Sequence, residues 1–118
     1  MKTRLQSLKS LVKKADKLYQ IKLISEKPYS VVSGKPIEVI HHFIPKGRSA
    51  NLRYDDKNGV PLTSAEHFTY HKTGDPTMAV ACIQKYGLAW FDDLQERRHI
   101  IRKTNKGYLK EVIESLVS

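Results

Sequence analysis

Between residues 3 and 19, Leu5, Leu8, Leu11, Val12, Ala15 and Leu18 recur at spacings of three and four, the apolar stripe of a helix over about residues 3–20. Lys9, Lys13, Lys14 and Lys17 fill intervening positions, so the other face is basic, either simply solvated or turned toward a polyanion. Lys27 to Pro36 holds two prolines, two serines and Gly34, a turn-rich connection or tight hairpin. Ile37 to Pro45 is apolar and β-branched apart from Glu38, His41 and His42, which predicts a strand closed by Pro45 and Gly47. A polar, basic loop from Lys46 to Asn58 ends in the turn dipeptide Asn58-Gly59, and Gly59 to Thr63 can form a second short strand. Thr63 or Ser64 then caps a helix to about Lys72, with Glu66 in its first turn.

Three further helices follow over about residues 76–117. Asp75-Pro76 opens the first, which carries Met78, Ala79, Ala81, Cys82 and Ile83 and is stopped by Gly87. Leu88 to Arg102 repeats the pattern through Leu88, Phe91, Leu94 and Ile101, and Tyr108, Leu109, Val112, Ile113 and Leu116 form the last. No internal repeat, low-complexity tract or domain boundary interrupts the 118 residues, which predict a single small α+β domain.

Composition narrows the function. With 21 Lys+Arg against 12 Asp+Glu the net charge is +9, which favours a polyanionic partner, nucleic acid first, then an anionic membrane or an acidic protein. No apolar run reaches the roughly 18–20 residues that span a bilayer, and the Lys-rich start lacks a signal core, so a cytoplasmic, unprocessed chain with no membrane partner is expected. The single cysteine, Cys82, excludes an internal disulfide and any thiolate zinc knuckle, and reads as a small buried hydrophobe. Trp90 and Phe91, at helical spacing with Leu94, read as core in preference to a base-stacking platform.

Four of the five histidines fall in the strand–loop–strand–helix segment, while His99 stands alone in a later helix. His67 and His71, four apart, share one helix face and can reach one metal ion; such a pair is also common as mere decoration. His41 and His42 are neighbours in a strand, where successive side chains point to opposite faces. One of them can complete a metal site with His67 and His71, while the other, a neutral imidazole near its ordinary pKa, can take a proton from water.

The run from Ile40 to His71, with its His-His-Phe-Ile-Pro, Asn58, Leu62 and His67-x-x-x-His71, resembles the HNH, or ββα-metal, nucleases. His41-His42, fifteen intervening residues, Asn58, eight more, His67 and then His71 resemble the colicin-type DNases of that family. Arg53-Tyr54-Asp55 and the extension from His71 to Pro76 are similar to phage HNH nucleases, including the NinG-type recombination nucleases. The resemblance covers about a quarter of the chain and implies a degenerate treble-clef-like ββα-metal core at residues 37–72, flanked by N-terminal and C-terminal helices.

The same resemblance implies His41, His67 and His71 as ligands of one divalent ion, His42 as general base, and Asn58 as the group that steadies the loop and orients His42. Asn51 is a second candidate for the motif's asparagine. Mg²⁺ or Mn²⁺ would support activity, and three imidazoles also suit Zn²⁺ or Ni²⁺. Lys46, Arg48 and Arg53 lie in the loop between the strands, where they could bind flanking DNA phosphates or be merely solvated. Asp55 and Asp56 shape the turn before Asn58. Many family members carry two Cys-x-x-Cys knuckles around a structural zinc; here Ser30-Val31-Val32-Ser33-Gly34 and Thr63-Ser64-Ala65-Glu66 stand in those places. The expectation is therefore no structural zinc, with hydroxyl hydrogen bonds and packing from Val31, Val32 and the flanking helices in its stead.

The implied activity is metal-dependent hydrolysis of DNA phosphodiester bonds to a 5′-phosphate and a 3′-hydroxyl, by a protein encoded by a phage and used in recombination on branched or otherwise structured DNA. With no sequence-reading module, selectivity would come from DNA shape, a homodimer or a partner. Two other classes fit the same composition: a noncatalytic DNA-binding accessory with a degenerate fold, and an interaction module for an acidic protein, whose binding would lack the steep salt dependence of phosphate neutralisation.

Overall fold

A computed structural model describes residues 7–118. The chain is α+β: helix α1 (Leu8–Glu26), strand β1 (Val39–His42), a 3-10 turn (Asp56–Asn58), strand β2 (Gly59–Leu62), then α2 (Ser64–Thr73), α3 (Thr77–Tyr86), α4 (Leu88–Arg97) and α5 (Lys106–Val117). No helix among the described residues is long and apolar enough to cross a membrane.

Ser7 caps α1 through its Oγ, which accepts from Ser10 N at 3.1 Å. The helix runs to Glu26, beyond the predicted end near residue 20, because Ile21, Leu23 and Ile24 extend the apolar pattern and the first breaker is Pro28. Residues 3–6 of the predicted helix, Leu5 included, lie outside the described residues. The buried stripe is Leu11, Ala15, Tyr19 and Leu23, each four after the last. Its first half packs on Leu109 of α5 and its second on Ile40 of β1.

β1 and β2 are antiparallel, with Val39 opposite Leu62, Ile40 opposite Pro61, His41 opposite Val60 and His42 opposite Gly59. Both are shorter than the predicted 37–45 and 59–63. Phe43 N still donates to Asn58 O at 2.9 Å, but beyond it the side chain of Asn58 takes the place of a strand partner for Ile44. Pro61 has no N–H to offer Ile40, and the Ile40 backbone is clipped instead by Gln20 of α1: Ile40 N donates to Gln20 Oε1 and Gln20 Nε2 donates to Ile40 O, each at 2.8 Å. The amide behaves as one residue of a third strand and blocks the edge of β1.

Alternation along β1 sends Ile40 and His42 toward α1, and Val39 and His41 toward the side where Val60, Leu62, Met78 and Cys82 form a second core. Val31 and Val32, from the turn preceding β1, pack on that core. Polar bonds join the same turn to α2. Thr63 and Glu66 make a reciprocal capping box at the start of α2, and Glu66 Oε1 also accepts from Ser30 Oγ at 2.7 Å. Ser30 Oγ in turn accepts from Val32 N and Ser33 N. Hydroxyl, carboxylate and backbone groups thus cross-link the turn before β1 to the start of α2. Backbone and side-chain bonds from Thr63 and Ser30 keep the Glu66 carboxyl below its ordinary pKa against the upward pull of partial burial.

Gly87, at φ 93°, separates α3 from α4. α4 ends at Arg97, five residues short of the predicted Arg102, and Ile101 is 97% exposed, not a core position. His99, Ile100 and Ile101 are weak helix formers, and Asn105 opens the next helix by accepting from Tyr108 N. Trp90 and Phe91 pack against Phe43, and Cys82 is fully buried.

Gly59 sits where α1 crosses the sheet. A Cβ there would lie 2.4 Å from Leu23 Cδ1, 2.8 Å from the Tyr19 hydroxyl oxygen and 2.9 Å from Ile40 Cγ2. Gly59→Ala is therefore expected to destabilise the fold by about 1–3 kcal/mol, through displacement of α1 from the strand pair, read as a lower midpoint in urea. An unchanged midpoint would show that α1 is not seated this closely.

Candidate functional site

His41, on β1, and His67 and His71, one turn apart on α2, converge. Their rings lie 4.6–5.3 Å apart by centroid in edge-to-face arrangements. One ring nitrogen from each can be chosen so that all three lie within 4.8 Å of one another. Ligands at Zn–N distances of about 2.0–2.1 Å stand roughly 3.4 Å apart on a tetrahedron, so small χ rotations close the set on one ion. His41 is nearly buried, and its Nδ1 has no hydrogen-bond partner among the described residues. A ring with a buried, unpartnered nitrogen lies against two other imidazoles, and three neutral imidazoles fit a borderline divalent cation.

Electrostatics favours the neutral form that a metal ligand needs. Burial pushes the His41 imidazolium down to a pKa of about 4, and His67, His71 and His42 push the same way. Burial and His71 lower that of His67. His41 should therefore protonate far more readily in the unfolded chain, with its ordinary pKa near 6.5, than in the fold. Stability contributed by this group is fully present above pH 6.5 and is lost as pH falls toward 4. In chelator, urea unfolding is expected to show a loss of about 2 kcal/mol between pH 7 and pH 5, ahead of the carboxylates. A flat profile across that window would mean that His41 is solvated.

His42 points to the opposite side of β1. Its ring stacks on Tyr19, with centroids 5.1 Å apart and planes at 23°, and its Nε2 is 2.8 Å from Arg53 O. A carbonyl can only accept, so Nε2 carries the proton and Nδ1 keeps the lone pair. Burial lowers the pKa of His42, with Lys46 and Arg53 adding to the effect and the Arg53 carbonyl and Asp16 opposing it. His42 is thus a neutral base of fixed tautomer. It borders one cavity of about 350 Å³ together with His67, His71, Gln20 and the loop residues Pro45, Lys46 and Gly47. Two members of the cluster, His67 and His71 on α2, thus border the same space as His42, with His41 set behind them.

Asn58 is fully buried at the base of the loop between the strands. Its Oδ1 accepts from Ile44 N at 2.7 Å, and its Nδ2 donates to Ile44 O at 3.0 Å and Leu52 O at 3.2 Å. These bonds tie the segment after His42 to the segment before Arg53, whose carbonyl holds His42. Asn51 does none of this; its amide donates to Arg97 O on the periphery. Helix α4 braces the same loop. Arg97 pairs with both Asp55 and Asp93, and Trp90 Nε1 donates to Lys57 O at 2.7 Å. Asp55 caps the 3-10 turn, and its carbonyl accepts from the Tyr19 hydroxyl at 2.8 Å.

The loop cations differ in their surroundings. Lys46 and Arg48 are exposed, and Lys46 lines the cavity. Arg53, expected as a phosphate contact, has its guanidinium bound by Asp16 of α1 through two bonds of 2.9 and 2.7 Å. The side chain ties the loop to α1, and the backbone carbonyl fixes His42. His99 is exposed in the turn after α4, away from the other four. Tyr19, Gln20 and Asp16 were not singled out from sequence, although Tyr19 continues the four-residue repeat of Leu11 and Ala15.

No family model, curated protein or solved structure matches the chain.

Proposed function

We propose that this protein is a metal-dependent endonuclease of the HNH, ββα-metal type that hydrolyses DNA phosphodiester bonds. The observation that carries this reading is the division of two adjacent histidines. His41 joins His67 and His71 in one three-nitrogen donor set, while His42, held neutral and in a single tautomer, lines the cavity that His67 and His71 also border. Phosphodiester hydrolysis asks for these two functions side by side. A divalent ion bound by His41, His67 and His71 would supply Lewis acidity toward a non-bridging phosphate oxygen and the departing 3′ oxygen.

His42 does the proton chemistry. Its Nδ1 takes a proton from a water molecule as the water oxygen bonds to phosphorus and the P–O3′ bond breaks, leaving a 5′-phosphate, and the O3′ oxygen takes a proton from a solvent water to become the 3′-hydroxyl. The Arg53 carbonyl stabilises the imidazolium that forms, since it already accepts the Nε2 proton. Lys46, exposed at the cavity mouth, and Arg48 beside it offer cations to flanking phosphates. Asn58 acts through the loop backbone and positions both His42 and its carbonyl partner. The net charge of +9 favours association with a polyanion.

The test incubates the purified protein with supercoiled plasmid and with a four-way junction, adding Mg²⁺, Mn²⁺ or a chelator. Cleavage that needs the metal supports the reading, and preference for the junction would add selectivity for structure. DNA binding without cleavage at any metal would replace it with a noncatalytic accessory role.

A further inference from the structure

Three of the five lysines of α1 form a ridge that begins at the cavity. With 3.6 residues per turn, Lys9, Lys13 and Lys17 all lie within about 60° of Gln20 around the helix axis. Gln20 itself lines the cavity. All three lysines are exposed, and none makes an ion pair among the described residues. The one acidic residue on this stretch, Asp16, is taken up by Arg53, so the ridge carries no free negative charge. The opposite face of α1 is buried against α5 and the strands, which fixes the direction in which the ridge points.

We propose that Lys9, Lys13 and Lys17 bind the phosphate backbone of duplex DNA on one side of the cleavage site. The inference rests on the nuclease reading for where the cut falls, but not for whether the ridge binds. The eleven steps of helix from Lys9 to Gln20 span about 16 Å at 1.5 Å per residue, roughly five base pairs of duplex at 3.4 Å each. Lys46 lines the cavity itself, with exposed Arg48 two residues on. Efficient cutting therefore requires about five base pairs of duplex on the ridge side of the cut.

The test compares wild type with the triple variant K9Q/K13Q/K17Q, and with K35Q/K85Q as a control that removes exposed charge elsewhere. Binding to a labelled 20-base-pair duplex is titrated in chelator from 50 to 200 mM salt, where no cleavage occurs. Each phosphate contact contributes about 0.9 to the slope of log affinity against log salt, so the triple variant should lose about 2.7 and the control little. A loss of two or more supports the ridge. A loss below two, or an equal loss per lysine in the control, overturns it. With Mn²⁺ added, wild type should cut poorly when the duplex is trimmed below about five base pairs on one side, whereas the triple variant should be indifferent to trimming. If wild type fails to cut at all, the nuclease reading fails, while the salt slope still decides the ridge.

Discussion

His42→Ala is expected to lower metal-dependent plasmid cleavage by roughly 10²–10⁴-fold, the range that a positioned general base contributes. Binding of Mn²⁺ or Zn²⁺ by His41, His67 and His71 should be unchanged, because His42 points to the other side of β1 and shares no ligand with them. That split separates loss of the base from loss of the site. The substitution also leaves a space against the Tyr19 ring, which added imidazole could enter, so partial rescue by free imidazole is a second expected result. In wild type the acidic limb of the pH–rate profile should fall below pH 6.5, because burial lowers the His42 pKa and keeps the ring neutral to lower pH. Full activity in His42→Ala would falsify the assignment of the base, whatever the metal dependence.

Asn58→Ala should have the largest effect on stability, about 4 kcal/mol. Removal of the amide leaves Ile44 N, Ile44 O and Leu52 O without their side-chain partner in a fully buried place, and each stranded polar group costs about 1–3 kcal/mol. The cost is partly offset where the loop relaxes enough to admit water. Asn58→Asp is the informative companion: it can still accept from Ile44 N but turns a carboxylate oxygen toward two carbonyls, so it should not restore stability. Urea unfolding of both variants measures this directly. If Asn58→Ala loses less than about 1 kcal/mol, the loop is held by its contacts with α1 and α4, through Arg53, Tyr19, Arg97 and Trp90.

These two residues differ in how far sequence could assign them. The His-His pair in an apolar run and the two histidines four apart on a helix already pointed to one shared site, because strand alternation and helix spacing are local geometry. Asn58 stood beside Asn51 as an alternative, since both are plausible turn residues. Burial separates them: only Asn58 lies under the loop where three backbone groups need an amide.

Local pattern also determined most of the helices, the cap at Thr63, the stop at Gly87 and the α+β order, all of which depend on neighbours within a few residues; the helix expected to open at Asp75-Pro76 starts instead at Thr77, with Pro76 in the cap position. Tertiary structure alone decided what holds the site in place. The Gln20 clip on Ile40, the Tyr19 stack under His42 and the Asp16 pair that turns Arg53 inward all join residues 20–37 positions apart along the chain. No periodicity records such contacts. They arise because Gly59 lets α1 come close to the strand pair, and that approach brings otherwise ordinary helix residues within bonding distance of the histidines.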